Sequence, residues 1–304
     1  MQSQRTVVGA FLLLVCVVGI AAALTFVFFT DVIATGTALE TDTYGLNDKG
    51  VIAGDYVDSN SVQHGMILTS LATLVPKLVT ADRGDCVTSP GSTTIAFYSI
   101  NNLGVAAGWC TKPDSTVIGF TYAGGKFTDV TIPGSTFTEA IGINDAGALV
   151  GTYKDANSVQ HGFLLVGSTL TNLDPPGTVS TNTAWSINNS GVITVYGINA
   201  NGAYTSFTTA DQGKTYTPFQ DPNQGSIGTA IHQINNNGDI VGTYFDANNA
   251  THGVLYHAGT YNSFDDPKGV GTTRGDGLNN SLVVVGRYGS GVFGGAGYQG
   301  VAKP

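Results

Sequence analysis

Three histidines hold matching places in the sequence and are the first candidates for chemistry. His64, His161 and His252 each precede a glycine, and the segment "NSVQHG" appears twice, at Asn60–Gly65 and Asn157–Gly162. Imidazole nitrogens are common zinc ligands, so a three-fold pattern raises the idea of a metal site. Because equivalent positions in successive repeats lie well apart, these rings cannot share one ion. We therefore predict structural roles for all three, with no metal and no cofactor.

Carboxylates and arginines are the next candidates, since a glycosidase needs two carboxyl groups that flank the scissile bond. A sialidase-like enzyme would also need an arginine cluster and a Tyr/Glu pair. The chain has 19 Asp but only Glu40 and Glu139, and its arginines beyond the leading segment are Arg83, Arg274 and Arg287. Most of the Asp residues recur where turns are expected, which turn chemistry explains. The sequence therefore predicts a protein that is not an enzyme.

Other site patterns are incomplete or too short to carry weight. Oxygen-rich segments such as "NNNGD" do not complete a twelve-residue calcium loop that ends in Glu, and no nucleophile elbow, phosphate loop or dinucleotide fingerprint is present. Two RGD triplets begin at Arg83 and Arg274. Three-residue matches of this kind arise easily by chance. A formal charge of −9 without a basic patch excludes a nucleic-acid-binding protein.

Cysteine usage points to an oxidising compartment. Cys16 lies in an apolar leading segment, which leaves Cys86 and Cys110 as an even pair inside one repeat. We predict a disulfide between them, and the alternative is two buried thiols.

Six copies of an Ile/Leu-Asn turn motif organise the chain beyond residue 43. The asparagines are Asn47, Asn101, Asn144, Asn188, Asn235 and Asn279, separated by 54, 43, 44, 47 and 44 residues. The turn glycines that follow three residues later are Gly50, Gly104, Gly147, Gly191 and Gly238, and the sixth copy has Leu282 at this place. Each Asn is expected to bond back onto the backbone, while each Gly accepts a positive φ.

These repeats predict an all-β fold. Few helix formers, 42 glycines and many Asn, Asp, Thr and Val residues favour strands that are joined by tight turns. Each period reads as four antiparallel strands, and such a sheet buries its faces only by stacking on its neighbours. Six units of about 45 residues fit a six-bladed β-propeller over residues 44–304.

Closure of the ring requires one more strand, because the last repeat is short. The segment Asp31–Thr43, part of a linker at residues 30–43, is expected to supply it. A linear β-solenoid is the alternative, and the shortened last repeat argues against it.

The repeats resemble the bacterial extracellular HAF-type repeat family, whose units carry an "IN..G.vvG" core followed by a His-Ala-Phe-like triplet. Here the triplet reads His64-Gly65-Met66, His161-Gly162-Phe163 and His252-Gly253-Val254. The resemblance implies an exported propeller and no established reaction. A shorter segment, "TADQGKTY" at Thr209–Tyr216, looks like the Asp-box hairpin of sialidase-type propellers, which is a structural element.

The leading segment predicts a membrane anchor. Val7–Phe29 contains 23 residues without a charge, which as a helix would be roughly 34 Å long and would match a bilayer core. Arg5 precedes it, so residues 1–6 are expected in the cytoplasm and the remaining body outside. The alternative is a cleaved signal peptide with Ala21–Ala23 or Gly36–Ala38 as the small-residue cleavage site.

Two functions follow from this organisation. The first is a membrane-anchored periplasmic scaffold at the bacterial inner membrane that docks on a larger membrane protein complex, for which a photosynthetic or respiratory assembly is one candidate host. Propeller rims suit docking because they present loops on rigid blades. The second is a propeller of the cell envelope that binds or cleaves carbohydrate, for which polar and aromatic side chains should cluster at one mouth of the central channel.

Overall fold

The computed structural model describes residues 24–32, 34, 38–69, 77–89, 92–289 and 296–303 of the 304-residue chain. These residues form six antiparallel sheets of four strands each and one two-stranded ribbon. Within each sheet the strands follow one another in chain order, except in the last, where the first strand of the chain joins the final three. The six-bladed propeller of four-stranded blades is therefore confirmed.

The strands have the following bounds. Strand β1 is Thr25–Val32. Blade 1 contains β2 (Glu40–Leu46), β3 (Val51–Val57), β4 (Gln63–Thr69) and β5 (Lys77–Thr80). The 3₁₀ turn Gly84–Cys86 and a ribbon of β6 (Val87–Ser89) and β7 (Ser92–Thr93) follow. Blade 2 contains β8 (Ile95–Ile100), β9 (Ala106–Thr111), β10 (Val117–Ala123) and β11 (Lys126–Val130). Blade 3 contains β12 (Thr138–Ile143), β13 (Leu149–Lys154), β14 (Gln160–Val166) and β15 (Thr169–Leu173).

The second half of the ring has the same plan. Blade 4 contains β16 (Thr178–Ile187), β17 (Ile193–Asn199), β18 (Tyr204–Thr209) and β19 (Thr217–Phe219). Blade 5 contains β20 (Thr229–Ile234), β21 (Ile240–Phe245), β22 (Thr251–His257) and β23 (Thr260–Phe264). Blade 6 contains β24 (Arg274–Leu278), β25 (Val283–Tyr288) and β26 (Ala296–Lys303), and β1 is its fourth strand.

Strand β1 closes the ring from an unexpected part of the sequence. It pairs antiparallel with β26, from Thr25 opposite Lys303 to Val32 opposite Gly297. The closing strand is therefore residues 25–32, and the prediction of Asp31–Thr43 was wrong in its bounds. Pairing gives β26 a neighbour on its outer side and so removes an exposed sheet edge.

The same strand corrects the predicted anchor helix. Residues 25–29 of the predicted 7–29 span belong to β1 and are extended, while residues 7–23 lie outside the described residues. Phe26 stacks on Phe264 of blade 5 with ring centroids 4.3 Å apart, so part of the apolar run serves the propeller core. In the described part of the chain, no helix has the length and apolar character to span a membrane.

The motif turns form one mouth of the propeller. The turn glycines have φ values from 74° to 87°, and Leu282 takes the same place in blade 6 with φ 58°. Each motif Asn is buried, and its Oδ1 accepts N–H bonds from the residues two and four positions later, for example from Leu103 and Val105 onto Asn101. This is the backbone-directed bond that the sequence predicts for a turn Asn.

The motif asparagines also join the blades. Each side-chain Nδ2 donates to the backbone carbonyl of the equivalent Asn in the next blade, at 3.0 to 3.2 Å for five links and 3.4 Å for Asn279 to Asn47, which completes the circle. The residues that follow form a second circle, in which each backbone N–H donates to the next side-chain Oδ1: Asp48, Asn102, Asp145, Asn189, Asn236 and Asn280. Two closed rings of hydrogen bonds therefore fix the relative positions of all six blades at this mouth.

Apolar clusters between adjacent blades supply the core. One cluster joins blades 1 and 2 through Ile67, Phe97 and Phe120, and equivalent clusters lie at the other blade contacts. Cys86 and Cys110 form the predicted disulfide, which ties the link between blades 1 and 2 to strand β9. The faces that a single blade exposes are thus covered by its neighbours.

Candidate functional site

Every inner strand carries a β-bulge at the same point of the repeat. In blade 1, Thr43 pairs with Gly54 and Gly45 pairs with Ala53, so Tyr44 has no register partner. The unpaired residue always lies three positions before the motif Asn: Tyr44, Tyr98, Ile141, Trp185, His232 and Asp276, with Gln233 as a further unpaired residue in blade 5. Bulges re-aim a side chain, and these lie on the strands nearest the axis.

Glycines on the second strands allow this geometry. A Cβ atom built on Gly54 would lie 2.0 Å from the carbonyl oxygen of Asp42, and one on Gly151 would lie 2.0 Å from that of Glu139. Only a residue without a side chain permits such a close approach of two backbones. Blade 4 has Val195 at this position beside its bulge, so the bulge favours a glycine there without requiring one.

Four of the six bulged residues, Tyr44, Tyr98, Trp185 and His232, line a cavity on the propeller axis. It has a volume of 220 Å³, and side chains from blades 1, 2, 4, 5 and 6 line it. Six of them are aromatic: Tyr44, Tyr98, Trp185, Tyr196, Tyr204 and Phe245. The cavity opens at the end of the inner strands opposite the asparagine rings, since its lining residues precede the motif Asn or end the second strand.

The aromatic side chains form a continuous wall. Tyr98 lies against Tyr44 and Trp185, with ring centroids 4.8 and 5.5 Å apart. Across the boundary between blades 4 and 5, Tyr204 and Phe245 stack with an interplanar angle of 4° and a centroid distance of 5.8 Å. Both of these last rings are partly exposed. The wall therefore offers flat apolar faces to anything that enters the cavity.

The polar lining of the cavity is mainly cationic. Arg274, Arg287, His232 and Thr243 contribute to it, and no carboxylate is among the described lining residues. His232 packs its ring 4.4 Å from Trp185, and its Nδ1 lies 2.7 Å from the carbonyl oxygen of Gly275. Two of the chain's four arginines therefore line this one cavity.

Carboxylates behind the wall hold Arg287 in place. Arg287 lies 3.5 Å from Asp42 and 3.8 Å from Asp276, and its guanidinium sits 4.8 Å above the Tyr44 ring. Burial alone would raise the pKa of Asp276, but the charge of Arg287 and the His232 ring, whose Nδ1 lies 3.1 Å from Asp276 Oδ1, lower it below its ordinary value. Asp276 is fully buried, and these partners favour its ionised form.

Two further carboxyl groups near the axis have raised pKa values. Burial raises the pKa of Asp55 well above its ordinary value, and the charge of Asp42 adds to the effect; Gln63 donates a 2.8 Å hydrogen bond to Asp55. Burial raises the pKa of Glu139 to about 7, and Lys154 opposes that shift. Both groups therefore hold a proton more readily than exposed carboxyl groups do.

The three predicted histidines lie away from this cavity, in three matching clusters. His64 has Nδ1 2.8 Å from Asp82 and Nε2 3.6 Å from Asp58, and its ring stacks on Tyr56. His161 and His252 repeat this arrangement in blades 3 and 5 with their own Asp pairs and tyrosines. Each histidine joins the loop after the second strand to the end of the fourth. Within the described residues, no group of three or more His, Cys, Asp or Glu is arranged to hold a metal ion.

Other sequence motifs have structural explanations. The Asp-box segment Thr209–Tyr216 joins the third and fourth strands of blade 4, and Asp211 accepts bonds from the backbone and hydroxyl of Thr215. Of the two RGD triplets, the first has Arg83 paired with Asp85 and Asp129, and the second lies in strand β24 with Asp276 buried. Neither triplet is presented as a free loop.

The axial residues could have been found from the repeat period. At three positions of the repeat, three and five residues before the motif Asn and eight after it, side chains from several blades line the cavity, and the residue types differ from blade to blade while the framework stays constant. Eight after the Asn, for example, are Asp55, Trp109, Thr152, Tyr196, Thr243 and Arg287. Positions that are structurally equivalent but differ in residue type are typical of the binding surface of a repeat protein. Motifs that the repeats share do not show this signal, because it lies at the positions where the repeats differ.

Solved structures of the same fold include sugar-related proteins. The Aleuria aurantia lectin in complex with Fucalpha1-6GlcNAc superposes with a TM-score of 0.56 at 11% identity, covering 89% of this chain and 96% of that one. AofleA from Arthrobotrys oligospora gives a TM-score of 0.53 at 11% identity, covering 90% and 88%. Trypanosoma rangeli sialidase gives 0.54 at 9% identity, covering 86% of this chain and 54% of that one. Neither a protein-family model nor a curated protein matches the sequence. At these identities the likeness shows the six-bladed propeller fold.

Proposed function

We propose that the protein binds carbohydrate in the axial cavity. The observation that carries this proposal is the combination of an aromatic wall with a few convergent polar groups at one mouth of a rigid propeller. Sugars present weakly positive C–H edges that pack on the negative face of an aromatic ring, while Arg, His and Thr side chains bond to their oxygens. This combination of aromatic and polar side chains supports carbohydrate binding better than it supports the scaffold role.

The dimensions of the cavity limit the ligand. At 220 Å³ it is smaller than the roughly 300 to 1,000 Å³ of sites for drug-sized molecules. It therefore suits one sugar unit, such as the terminal residue of a glycan. The similarity in fold to a lectin solved with a bound disaccharide supports this proposal without specifying the sugar.

Binding fits the lining better than cleavage does. A glycosidase needs two carboxyl groups at the scissile bond, whereas the described lining residues carry arginine, histidine and hydroxyl groups. Asp42 and Asp276 lie behind the wall and face Arg287. Incubation of a bound glycan with the protein, followed by mass spectrometry, should return the glycan intact.

A glycan array with purified protein tests the proposal, followed by titration calorimetry on the best ligand. Tyr204→Ala removes one partly exposed ring of the wall and should weaken binding about tenfold. The matched control is Tyr261→Ala, which changes a partly buried tyrosine on the outer strand of the neighbouring blade. Equal affinity in the wild type and the Tyr204 variant would place the ligand elsewhere and overturn the axial site.

We further propose that the propeller faces an oxidising compartment outside the cytoplasm. The Cys86–Cys110 disulfide supports this location, because such bonds are rare in reducing compartments. Docking on a membrane protein complex at the inner membrane stays a prediction. Copurification with such a complex in mild detergent is the measurement that checks it.

A further inference from the structure

Two arginines occupy directly opposed positions at the rim of the axial cavity. Arg274 on β24 and Arg287 on β25 are register partners in an antiparallel pair, and both line the cavity. Side chains at such positions point to the same face, and like charges placed opposite each other destabilise a sheet. The chain contains only four arginines, so a chance pairing is a poor explanation.

The two guanidinium groups differ in how their charge is balanced. Arg287 has Asp42 and Asp276 within ion-pairing distance and is mostly buried, with 24% of its side chain exposed. Arg274 is exposed at the rim and makes no salt bridge with any described residue. The charge of Arg274 also acts on Asp42 and Asp276, but its guanidinium group has no direct ionic partner among the described residues and lies exposed where a ligand would enter.

We infer that Arg274 binds the carboxylate of an acidic sugar, so that the axial site selects sugars with a carboxyl group. This inference rests on the proposed carbohydrate-binding function and specifies its ligand. A guanidinium group matches a carboxylate with two parallel hydrogen bonds and remains charged at all physiological pH values. The ligand's carboxylate pairs directly with the exposed Arg274, while its ring packs on the Tyr204 and Phe245 side chains of the aromatic wall.

The size of the cavity favours a carboxylate over a bulkier oxyanion. Oxidation of a hydroxymethyl group to a carboxylate adds a charge and only one heavy atom, an oxygen, whereas a sulfate ester adds four heavy atoms to the sugar. In a cavity of 220 Å³ that difference is large. We therefore assign the site to carboxylated sugars, and a sulfated sugar serves as the competing probe.

Matched sugar pairs test the inference. D-glucuronate is compared with D-glucose, and D-galacturonate with D-galactose, because the members of each pair differ only in the group at C6. Calorimetry or ligand-observed NMR at low ionic strength should show the acidic member binding about tenfold more tightly, and added salt should reduce the difference. D-glucose 6-sulfate is measured under the same conditions.

Variants at Arg274 identify the group responsible. Arg274→Gln should abolish the preference for the acidic sugar, with a much smaller loss of affinity for the neutral one, while Arg274→Lys should retain part of the preference. The control is Lys126→Gln, which removes one positive charge from an exposed position at the start of the outer strand of blade 2. Unfolding of the ligand-free protein gives a second readout, since loss of the repelling charge should leave the Arg274→Gln variant at least as stable as the wild type.

The outcomes separate this inference from the proposed function. Equal affinity for both members of each pair, with Tyr204→Ala weakening both, would overturn the role of Arg274 and leave carbohydrate binding intact. Tighter binding of the sulfated sugar than of glucuronate would overturn the assignment to carboxylates. Absence of binding to all of these sugars would overturn the inference and count against the proposed function, which the glycan array then decides.

Discussion

The ring of motif asparagines gives the most quantitative prediction, and Asn101→Ala is the perturbation. The Asn101 side chain is buried, donates a 3.0 Å bond to the carbonyl of Asn144, and accepts N–H bonds of 3.1 Å from Leu103 and 2.9 Å from Val105. Each such bond contributes about 0.5 to 1.5 kcal/mol net. The loss of three should therefore lower the free energy of unfolding by about 3 kcal/mol.

Urea unfolding followed by tryptophan fluorescence measures this loss, and thermal unfolding should fall by about 6 to 12 °C for a protein of this size. The control is Asn201→Ala, because Asn201 is exposed in a loop and its side chain makes no hydrogen bond among the described residues. Asn101→Asp separates the turn from the ring: it keeps the acceptor for Leu103 and Val105 but loses the donor to Asn144.

The expected stability of Asn101→Asp depends on whether the hydrogen bonds within the turn or the bond between the blades stabilises the protein. If the bond between blades matters, this variant should be destabilised at pH 7 and should recover in acid, where a protonated carboxyl group can again donate to Asn144. A loss for Asn101→Ala no larger than that of Asn201→Ala would refute the reasoning. So would an Asn101→Asp variant with wild-type stability at pH 7, because the turn alone would then explain the motif.

Three further predictions concern stability and processing. Burial raises the pKa of Glu139 from 4.5 to about 7. The stability that depends on its protonated carboxyl group is therefore fully present below pH 4.5 and is lost as the pH rises through 7. In urea titrations, Glu139→Gln should be more stable than the wild type at pH 8, by up to about 3 kcal/mol, and equal to it at pH 4. Reduction of the Cys86–Cys110 bond, which spans 24 residues, should cost about 3 kcal/mol in the same assay, and a serine double variant should show no response to reductant. Deletion of residues 1–32 should expose the edge of β26 and cause aggregation, whereas a mature chain that begins at Leu24 should remain monomeric. Amino-terminal sequencing of the natural protein should find no start within β1.

Leu24 marks the boundary at which the leading segment meets the propeller. Its backbone N–H donates a 3.0 Å bond to Oδ1 of Asn262, and the strand that follows packs against blade 5. Leu24 and Phe26 pack against the apolar cluster between blades 5 and 6, so these two residues after Ala23 belong to the propeller core. A signal peptide cleaved after Ala23 would therefore leave a terminus that is anchored on blade 5, and amino-terminal sequencing decides between cleavage and retention.

The sequence by itself determined the architecture. Six near-copies of one turn motif specify six similar sheets, because an Asn that caps the turn and a Gly with positive φ are local requirements. The short last repeat indicated that the ring must close with a strand from the other end of the chain. The Cys86–Cys110 bond also followed from counting cysteines, since only one pair was available after the leading segment.

Only the tertiary structure decided what the blades do together. The bonds from each motif Asn to the next blade, the closing strand at Thr25–Val32 and the meeting of Arg274 with aromatic side chains of blades 4 and 5 all join residues far apart in the chain. Local pattern carries no information about such contacts, because side chains at equivalent positions converge only when the ring closes around its axis. An apolar run is likewise ambiguous until its partners are known, which is why residues 25–29 were assigned to a membrane and are found in a sheet.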